Sequence, residues 1–137
     1  MNFDLDSVHK AAKEIAKKGG EHTLNYFNKS FDIERKSDNT PVTVADREAE
    51  SLMRQEIMNR FPNHGIIGEE HGNENEESPV QWILDPIDGT KSFIHGVPLY
   101  TTLIGVVVDE EPVVGIIYAP VLNEFCDAAK GKGARLN

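Results

Sequence analysis

The sequence predicts an α+β fold in which a central, largely antiparallel sheet is flanked by two N-terminal helices. Two segments before residue 62 each have apolar residues at the spacing of an amphipathic helix. After residue 64, the chain consists of short runs rich in valine, isoleucine, leucine and threonine that are separated by turn residues. A length of 137 residues suits one domain, so we treat residues 1–137 as a single unit.

The composition is that of a soluble globular protein, with 39% hydrophobic and 27% charged residues. The net charge is −9, and the chain has no basic cluster that would neutralise nucleic-acid phosphates. A phosphorylated small molecule remains compatible with this charge, because a bound cation reverses the local sign. No apolar run approaches membrane-spanning length. We therefore expect a small-molecule partner, and neither nucleic acid nor a membrane.

The cysteine content and the N-terminus bear on the compartment. The single cysteine, Cys126, excludes an intrachain disulfide and fits a reducing environment. The segment Met1–Asp6 is acidic and lacks the basic and apolar regions of a signal peptide. We expect a cytoplasmic protein.

The first helix is predicted over Leu5–Phe27, where the apolar residues form one helical stripe. Asp4 or Asp6 is suited to cap its start. The pair Gly19–Gly20 lies inside this pattern and costs roughly 2 kcal/mol of helix stability relative to two alanines. We therefore expect a kink or a close packing contact at this pair.

The second helix is predicted to follow a strand and a loop. Phe31–Lys36 alternates like a strand, and residues 37–41 are typical of a polar loop. The sequence from Thr43 to Asp46 has the T-x-x-D form of a capping box, which predicts the start of a helix that Pro62 stops. Capping alone is a sufficient explanation of Asp46 at this stage.

Apolar runs in the second part of the chain predict a sheet. The two longest runs form an antiparallel hairpin in its centre, Asn73–Ser78 predicts a mobile loop, and Lys130–Ala134 predicts a basic, flexible turn without the Walker pattern. The predicted strands are Gly65–Ile67, Trp82–Leu84, Leu99–Val108, Val113–Tyr118 and Glu124–Ala128.

Two aspartates follow the apolar run at Trp82–Leu84. Pro86 fixes its own φ angle and Gly89 permits a positive one, so the backbone can bend just past the strand. Asp85 and Asp88 then lie near one bend, where carboxylates ~4 Å apart repel by about 4 kcal/mol at an effective dielectric of about 20. A hard divalent cation would offset this repulsion. The alternative is an ordinary Asp-Gly turn with solvated carboxylates.

A second acidic element favours the cation site. Glu69 and Glu70 follow the strand at Gly65–Ile67, and adjacent strands of one sheet would bring Glu69 to Asp85 and Asp88. Mg²⁺ suits three carboxylates best, because it prefers oxygen ligands to imidazole. The sequence has neither a zinc motif of the H-E-x-x-H or C-x-x-C type nor an EF-hand loop.

A carboxylate-rich metal site can bind a phosphate ester, activate water and stabilise the leaving alkoxide. Thr90 is placed to hold the water, with Glu69 as the base that receives its proton. A phosphatase of the D-x-D-G-T type, which uses an aspartyl nucleophile, is disfavoured because two residues, Pro86 and Ile87, separate the aspartates here.

Several motifs together are similar to those of a known family. The motifs are Gly68-Glu69-Glu70, W-I-L-D-P-I-D-G-T at 82–90 with Phe93 following, T-V-A-D at 43–46 and G-K-G-A at 131–134. With these motifs, the chain resembles over nearly its whole length the inositol monophosphatase family of Mg²⁺-dependent, lithium-sensitive phosphatases. The resemblance implies a layered α/β sandwich, the N-terminal half of that fold, and a homodimer.

The resemblance also implies which residues hold metal. Glu69, Asp85 and the backbone carbonyl of Ile87 would bind a first Mg²⁺, and Asp85 and Asp88 would share a second. Sites of this family hold two or three such ions.

Further roles are implied for residues near the phosphate and the water. Gly89 and Thr90 would offer N–H groups to the phosphate, and Thr90 with Glu69 would orient the attacking water. Asp46 would act through Thr90, and Lys36 would lie near the phosphate side of the site. Catalytic roles thus fall to Glu69, Thr90 and Asp46.

The chain differs from the family in length. Chains of the family continue beyond the G-x-G-A motif into a second half, which supplies another metal-binding aspartate in a W-D-x-x-A motif and most substrate contacts. This sequence ends at Asn137 without that motif, so we describe it as an N-terminal, metal-binding portion and expect weak or no turnover by it alone. The sheet edge left exposed is expected to favour self-association.

The substrate implied by the resemblance is a small phosphorylated alcohol of the inositol monophosphate kind. Asp88–Ile94, followed by Gly96–Pro98, is more similar to the histidinol-phosphate phosphatase branch, so histidinol phosphate is an alternative. A non-catalytic fragment that binds metal or phosphate is the alternative from another functional class.

Overall fold

The computed structural model describes residues 3–29 and 41–137. The strand predicted at Phe31–Lys36, and with it Lys36, lies outside these residues. Within them, three helices and seven strands follow one another along the chain. In order they are α1 (Leu5–Thr23), α2 (Pro41–Arg60), β1 (Gly65–Gly68), β2 (Gly72–Glu74), β3 (Val80–Asp88), α3 (Thr90–Ile94), β4 (Thr101–Val108), β5 (Glu111–Ala119), β6 (Glu124–Ala129) and β7 (Gly133–Leu136).

The seven strands form one mixed sheet in the order β2-β1-β3-β4-β5-β6-β7. β1 and β3 are parallel, whereas the other neighbouring pairs are antiparallel. The central hairpin of β4 and β5 turns through Asp109 and Glu110, which both have positive φ, as the tightest hairpin turns require. The predicted α+β class and the largely antiparallel sheet are confirmed.

Helices α1 and α2 pack on one face of the sheet and cover Trp82, which is fully buried. The glycine pair of α1 lies in these contacts. A Cβ atom on Gly19 would lie 2.5 Å from Sδ of Met53, and one on Gly20 would overlap the ring of Tyr118. The close packing predicted at this pair is therefore present.

Both helices have limits that differ from the predicted ones. α1 ends at Thr23 rather than Phe27, because the next backbone N–H groups bond three residues back, as in a tight turn. α2 begins at Pro41, inside the predicted loop, since proline fits the first turn of a helix, where its missing N–H has no partner to lose. Thr43 is consequently not the N-cap, and the capping-box prediction is wrong.

Three predictions for the second part of the chain also need correction. β3 does not end at Leu84 but continues to Asp88, because a bulge accommodates Pro86 within the strand. Gly72–Glu74 overlaps the predicted loop but forms β2, since its backbone pairs with β1 although all of its side chains are exposed. β7 begins inside the segment predicted as a basic turn.

The face of the sheet opposite the helices is open. Ile67, Ile83 and Ile117 are 39%, 43% and 53% exposed, and they line a broad depression of about 810 Å³. Glu69 and Asp85 line the same depression. Across the described ranges, no helix combines the length and the apolar character needed to cross a membrane.

Candidate functional site

The two acidic segments meet where two parallel strands end. In the pairing of β1 with β3, Gly68 lies opposite Leu84. The next residues along the two strands are Glu69 and Asp85, and adjacent strands of a sheet are ~4.8 Å apart. The register therefore puts the backbones of Glu69 and Asp85 side by side, as the sequence predicts.

A bulge in β3 turns Asp88 to the same side as Asp85. In a regular strand, residues three positions apart point to opposite faces. Between Asp85 and Asp88, however, β3 has one more residue than the facing part of β4. Pro86 and Ile87 are both buried although they are consecutive, which marks the shift in alternation. Asp85 is half-buried and lines the open depression, and Asp88 is exposed to solvent.

The hydroxyl of Thr102 supports this bulge from β4. Thr102 is fully buried, and its Oγ1 donates a hydrogen bond of 2.8 Å to the carbonyl oxygen of Pro86. A bulge leaves backbone groups without partners in the ladder. The hydroxyl satisfies one such group, so it helps to keep the strand in the bulged form.

Negative charge is crowded around Asp85. Burial raises the pKa of Asp85 above its usual value, and the charges of Asp88 and Glu69 raise it further. A hydrogen bond with the backbone of Ile87 lowers it, but less strongly. The three predicted metal-binding carboxylates thus share one electrostatic environment.

Asp46 lies in the second turn of α2 and belongs to the same acidic region. Burial raises the pKa of Asp46 to about 7, and the charges of Glu70 and Asp85 add to the effect. Its Oδ1 atom is buried and accepts no hydrogen bond from any residue that the structure describes. Because α2 begins at Pro41, Asp46 does not cap the helix, and the capping explanation is wrong.

The segment after Asp88 turns sharply into α3. Gly89 has a φ of 92° and precedes Thr90, the first residue of this short helix. Asp88, Gly89 and Thr90 are exposed to solvent. The surrounding elements α2, β3 and α3 are joined by a small apolar cluster of four buried residues, namely Ala45, Ile87, Phe93 and Tyr100.

Two residues of α2 that lie at the site were not predicted from the sequence. Glu50 is fully buried, and its carboxylate accepts hydrogen bonds from the backbone N–H groups of Glu70 (3.3 Å) and His71 (2.9 Å). Arg54 donates to Glu50 and to the carbonyl oxygen of Gly72. The available signal was the position of two opposite charges, four residues apart, inside the apolar stripe of the helix.

The donor set fits a hard divalent cation in chemistry and in charge. Carboxylate and carbonyl oxygens are the ligands that Mg²⁺ prefers. In residues 3–29 and 41–137, no group of three or more histidine, cysteine, aspartate or glutamate side chains is arranged so that it could hold a metal ion. The fit rests on the crowded charge at Asp85, which a cation would offset.

Comparison with known proteins gives a family and a set of relatives. The family model described as the inositol monophosphatase family matches residues 4–137. The chain is 47% identical over 127 residues to the histidinol-phosphatase of Chlorobaculum parvum, covering 92% of this chain and 49% of the relative. It is 37% identical over 136 residues to the fructose-1,6-bisphosphatase/inositol-1-monophosphatase of Aquifex aeolicus, covering 98% of this chain and 52% of the relative.

A solved structure agrees with these matches. The inositol monophosphatase from Zymomonas mobilis superposes with a TM-score of 0.87 at 34% identity, covering 99% of this chain and 52% of that one. The layered α/β arrangement is thereby confirmed. The chain spans about half the length of the relatives it matches. On the strength of the family model and these identities, the chain belongs to the inositol monophosphatase family.

Proposed function

We propose that the chain carries the metal-binding part of a Mg²⁺-dependent phosphate monoester hydrolase that acts on a small phosphorylated alcohol. The observation that supports this most directly is the shared negative charge of Glu69, Asp85 and Asp88 at the ends of two adjacent strands. Membership of a phosphatase family supports the same reaction class.

In this proposal, the site binds two or three cations, and four residues of this chain hold them. Glu69, Asp85 and Asp88 contribute carboxylate oxygens, and Ile87 contributes its backbone carbonyl. When bound, Mg²⁺ supplies positive charge that offsets the repulsion between carboxylates, activates water and stabilises the leaving alkoxide.

The other site residues act on the water and the phosphate. Glu69 accepts the proton of the attacking water as a general base. The Thr90 hydroxyl orients that water, and Asp46 fixes Thr90 from α2. The backbone N–H groups of Gly89 and Thr90 donate to the phosphate. Lys36 adds positive charge beside it, a role that rests on the family resemblance alone.

The substrate is proposed from two classes. The name of the Aquifex aeolicus relative includes inositol-1-monophosphatase activity. The Chlorobaculum parvum relative is named as a histidinol-phosphatase. The higher identity to the second, 47% against 37%, favours histidinol phosphate as the alternative to test beside the inositol ester.

Phosphate release in the presence of Mg²⁺ tests the proposal. Inositol 1-phosphate, histidinol phosphate and a nucleotide bisphosphate form the substrate panel. Asp88→Asn should lower any measured rate by at least about 100-fold, because metal charge contributes several kcal/mol to such reactions. Asp109→Asn is the matched control, since Asp109 lies in the β4–β5 turn with positive φ, which asparagine tolerates. Measurable phosphate release at equal rates by the wild type and Asp88→Asn would contradict the proposal.

A second candidate function is a module that binds metal or phosphate without turnover. The exposure of Asp88, Gly89 and Thr90 favours it, because bulk water weakens electrostatic stabilisation in an open site. Cation binding that depends on Asp88, combined with no phosphate release from any member of the panel, would identify this function.

Assembly as a homodimer and a cytoplasmic location complete the proposal. The exposed isoleucines of the open sheet face support self-association, since contiguous apolar patches often mark protein contacts. The free thiol of Cys126 supports a reducing compartment. Light scattering after size-exclusion chromatography measures the assembly, and a monomer at all concentrations would contradict it.

A further inference from the structure

The geometry points to Glu50 as a positioning residue for Glu69, which we infer acts through the backbone of the turn that carries Glu69. The inference rests on the proposed function, in which Glu69 holds a cation and receives a proton. Glu50 is fully buried in α2, and it does not line the open depression that Glu69 and Asp85 share.

The turn in question is short and lies between paired glycines. Gly68 of β1 pairs with Gly72 of β2, so residues 69–71 form a three-residue connection. The Glu50 carboxylate accepts a hydrogen bond from two of its three N–H groups, those of residues 70 and 71, at 3.3 Å and 2.9 Å. These bonds fix the backbone immediately after Glu69 and hence the direction in which its side chain leaves.

Further contacts from α2 hold the same turn. Arg54 donates through Nε to Glu50 at 3.2 Å, and its guanidinium also donates to the carbonyl oxygen of Gly72. The carbonyl oxygen of Arg47 accepts a hydrogen bond of 3.0 Å from the His71 ring. One face of α2 therefore contacts both ends of the connection, with Glu50 in the middle.

The packing under the strand end leaves no spare room. A Cβ atom on Gly68 would lie 2.6 Å from Oε1 of Glu50 and 2.9 Å from a terminal nitrogen of Arg54. The carboxylate thus fills the space directly beneath the residue that precedes Glu69. Because the packing is this close, a shift of the Glu50 carboxylate would also move the turn.

The energetics of the pair favour a positioning role over a purely stabilising one. Burying two charges is costly, and apolar residues of similar volume often stabilise a core as well as a buried ion pair does. What apolar residues cannot provide is a set of directed hydrogen bonds to backbone N–H and C=O groups. Glu50 and Arg54 provide these bonds to the turn that bears Glu69.

Glu50 also contributes charge, and the test must separate the two effects. Its negative charge is among those that raise the pKa of Asp46 and Asp85. Glu50→Ala removes both the charge and the acceptor atoms. Glu50→Gln removes the charge but keeps one side-chain oxygen that can accept from the His71 N–H. A positioning role predicts different results for the two variants, whereas a charge effect predicts equal ones.

The experiment uses the 137-residue chain with Mn²⁺ as the probe cation. Calorimetry gives the Mn²⁺ dissociation constant, and NMR gives amide hydrogen exchange at Glu70 and His71. His9→Ala is the matched control, because His9 makes a partly buried bond of 2.7 Å to Asp127 that joins α1 to β6, away from the turn. Asp85→Asn identifies binding at the proposed metal site.

Glu50→Ala should weaken Mn²⁺ binding by at least about tenfold, as loss of residues that orient metal ligands commonly does. It should also speed exchange at the two amides relative to the other amides of β1. Glu50→Gln should lose less than about threefold in affinity, and His9→Ala should change neither quantity. Equal losses for both Glu50 variants, or unchanged exchange in Glu50→Ala, would overturn the inference.

Failure of the proposed function has a separate signature. If the wild type binds no Mn²⁺, or if Asp85→Asn binds it equally well, the proposed metal site is wrong. The exchange data then decide the role of Glu50 without reference to metal. Faster exchange confined to Glu70 and His71 supports positioning of the turn, and unchanged exchange overturns it.

Discussion

The Thr102 hydroxyl donates a hydrogen bond of 2.8 Å to the carbonyl oxygen of Pro86, and this contact spans the bulge between Asp85 and Asp88. In a regular strand, these two aspartates would point to opposite faces of the sheet. Because the alternation of side chains shifts by one residue at the bulge, both are on the same face. A buried hydroxyl on β4 thus helps to set the direction of a candidate metal ligand on β3.

Replacing Thr102 by valine should destabilise the protein and weaken cation binding. Valine keeps the shape of threonine but leaves the Pro86 carbonyl without its donor, which costs about 1–3 kcal/mol for a buried group. Urea unfolding measures the stability, and Mn²⁺ titration measures the binding. Thr102→Ser restores the donor and should recover most of the affinity. Full Mn²⁺ affinity in Thr102→Val would show that the bulge does not need this bond.

A divalent cation should raise the unfolding temperature of the wild type but not that of Asp85→Asn. A ligand at about 100 times its Kd stabilises the native state by about 2.7 kcal/mol. Without the ion, Asp85→Asn should be at least as stable as the wild type at pH 8. Asparagine has no charge, so the variant avoids the cost of burying a carboxylate near Asp88 and Glu69, the effects that raise the pKa of Asp85. NaCl at matched ionic strength controls for screening. Equal stabilisation of both proteins by Mg²⁺ would argue against Asp85 as a ligand.

The raised pKa of Asp46 predicts that stability falls as pH rises towards neutrality. Asp46 holds its proton up to about pH 7 in the folded chain, whereas the unfolded chain releases it near the ordinary value of 3.8. Between these values the folded state binds more protons, so the free energy of unfolding decreases with pH, in total by roughly 2–4 kcal/mol.

Asp46→Asn tests this dependence. Without added cation, the variant should be more stable than the wild type at pH 8, and the difference should vanish towards pH 4. Chemical unfolding at several pH values measures both curves. Parallel curves for the two proteins would show that Asp46 is not responsible for the pH dependence.

Helices and strands that have a regular pattern of apolar residues were predictable from the sequence. The stripe of α2 and the central hairpin follow local periodicity, which depends only on neighbours along the chain. β2 was not predictable in this way, because the polar segment Gly72–Glu74 is ordered by pairing with β1 rather than by burial of its own side chains.

Within the candidate site, the sequence predicted Glu69, Asp85 and Asp88 as metal ligands but did not predict the residues that support them. The bulge at Pro86 depends on a threonine from another strand, and no local pattern contains that contact. Glu50 lies inside the apolar stripe of α2, but its charge is typical of a solvated helix face, and the fold shows which turn it is buried against. The capping box predicted at Thr43–Asp46 is absent because the helix begins at Pro41, a residue whose local sequence is typical of a polar loop.

The open face of the sheet should control self-association. Ile83 and Ile117 are both large and about half exposed, at 43% and 53%. Replacing both by glutamine should reduce dimer formation and change the free energy of unfolding by less than about 1 kcal/mol, as for ordinary surface positions. Leu99→Gln is the control, since Leu99 is 67% exposed but does not line the depression. Unchanged association in the double variant would place the contact elsewhere.

Gly68→Ala should be destabilising, and the cost should depend on Glu50. The added Cβ atom would lie 2.6 Å from Oε1 of Glu50, so the carboxylate or the strand end must move, which costs typically about 1–3 kcal/mol. Gly105→Ala is the matched control, because no atom lies within 4 Å of the Cβ position there. That control should be neutral or slightly stabilising, by up to about 1 kcal/mol.

A double-mutant cycle assigns the cost of Gly68→Ala to its cause. Shortening the side chain at position 50 in Glu50→Ala removes the atom that the new methyl group meets first. Gly68→Ala should therefore cost less in the Glu50→Ala background than in the wild type, with a coupling of about 0.5–3 kcal/mol, as is found for residues in contact. Urea unfolding of the four proteins measures the coupling. Strict additivity would mean that the strand end relaxes independently of Glu50, and it would weaken the case that this carboxylate fixes the turn bearing Glu69.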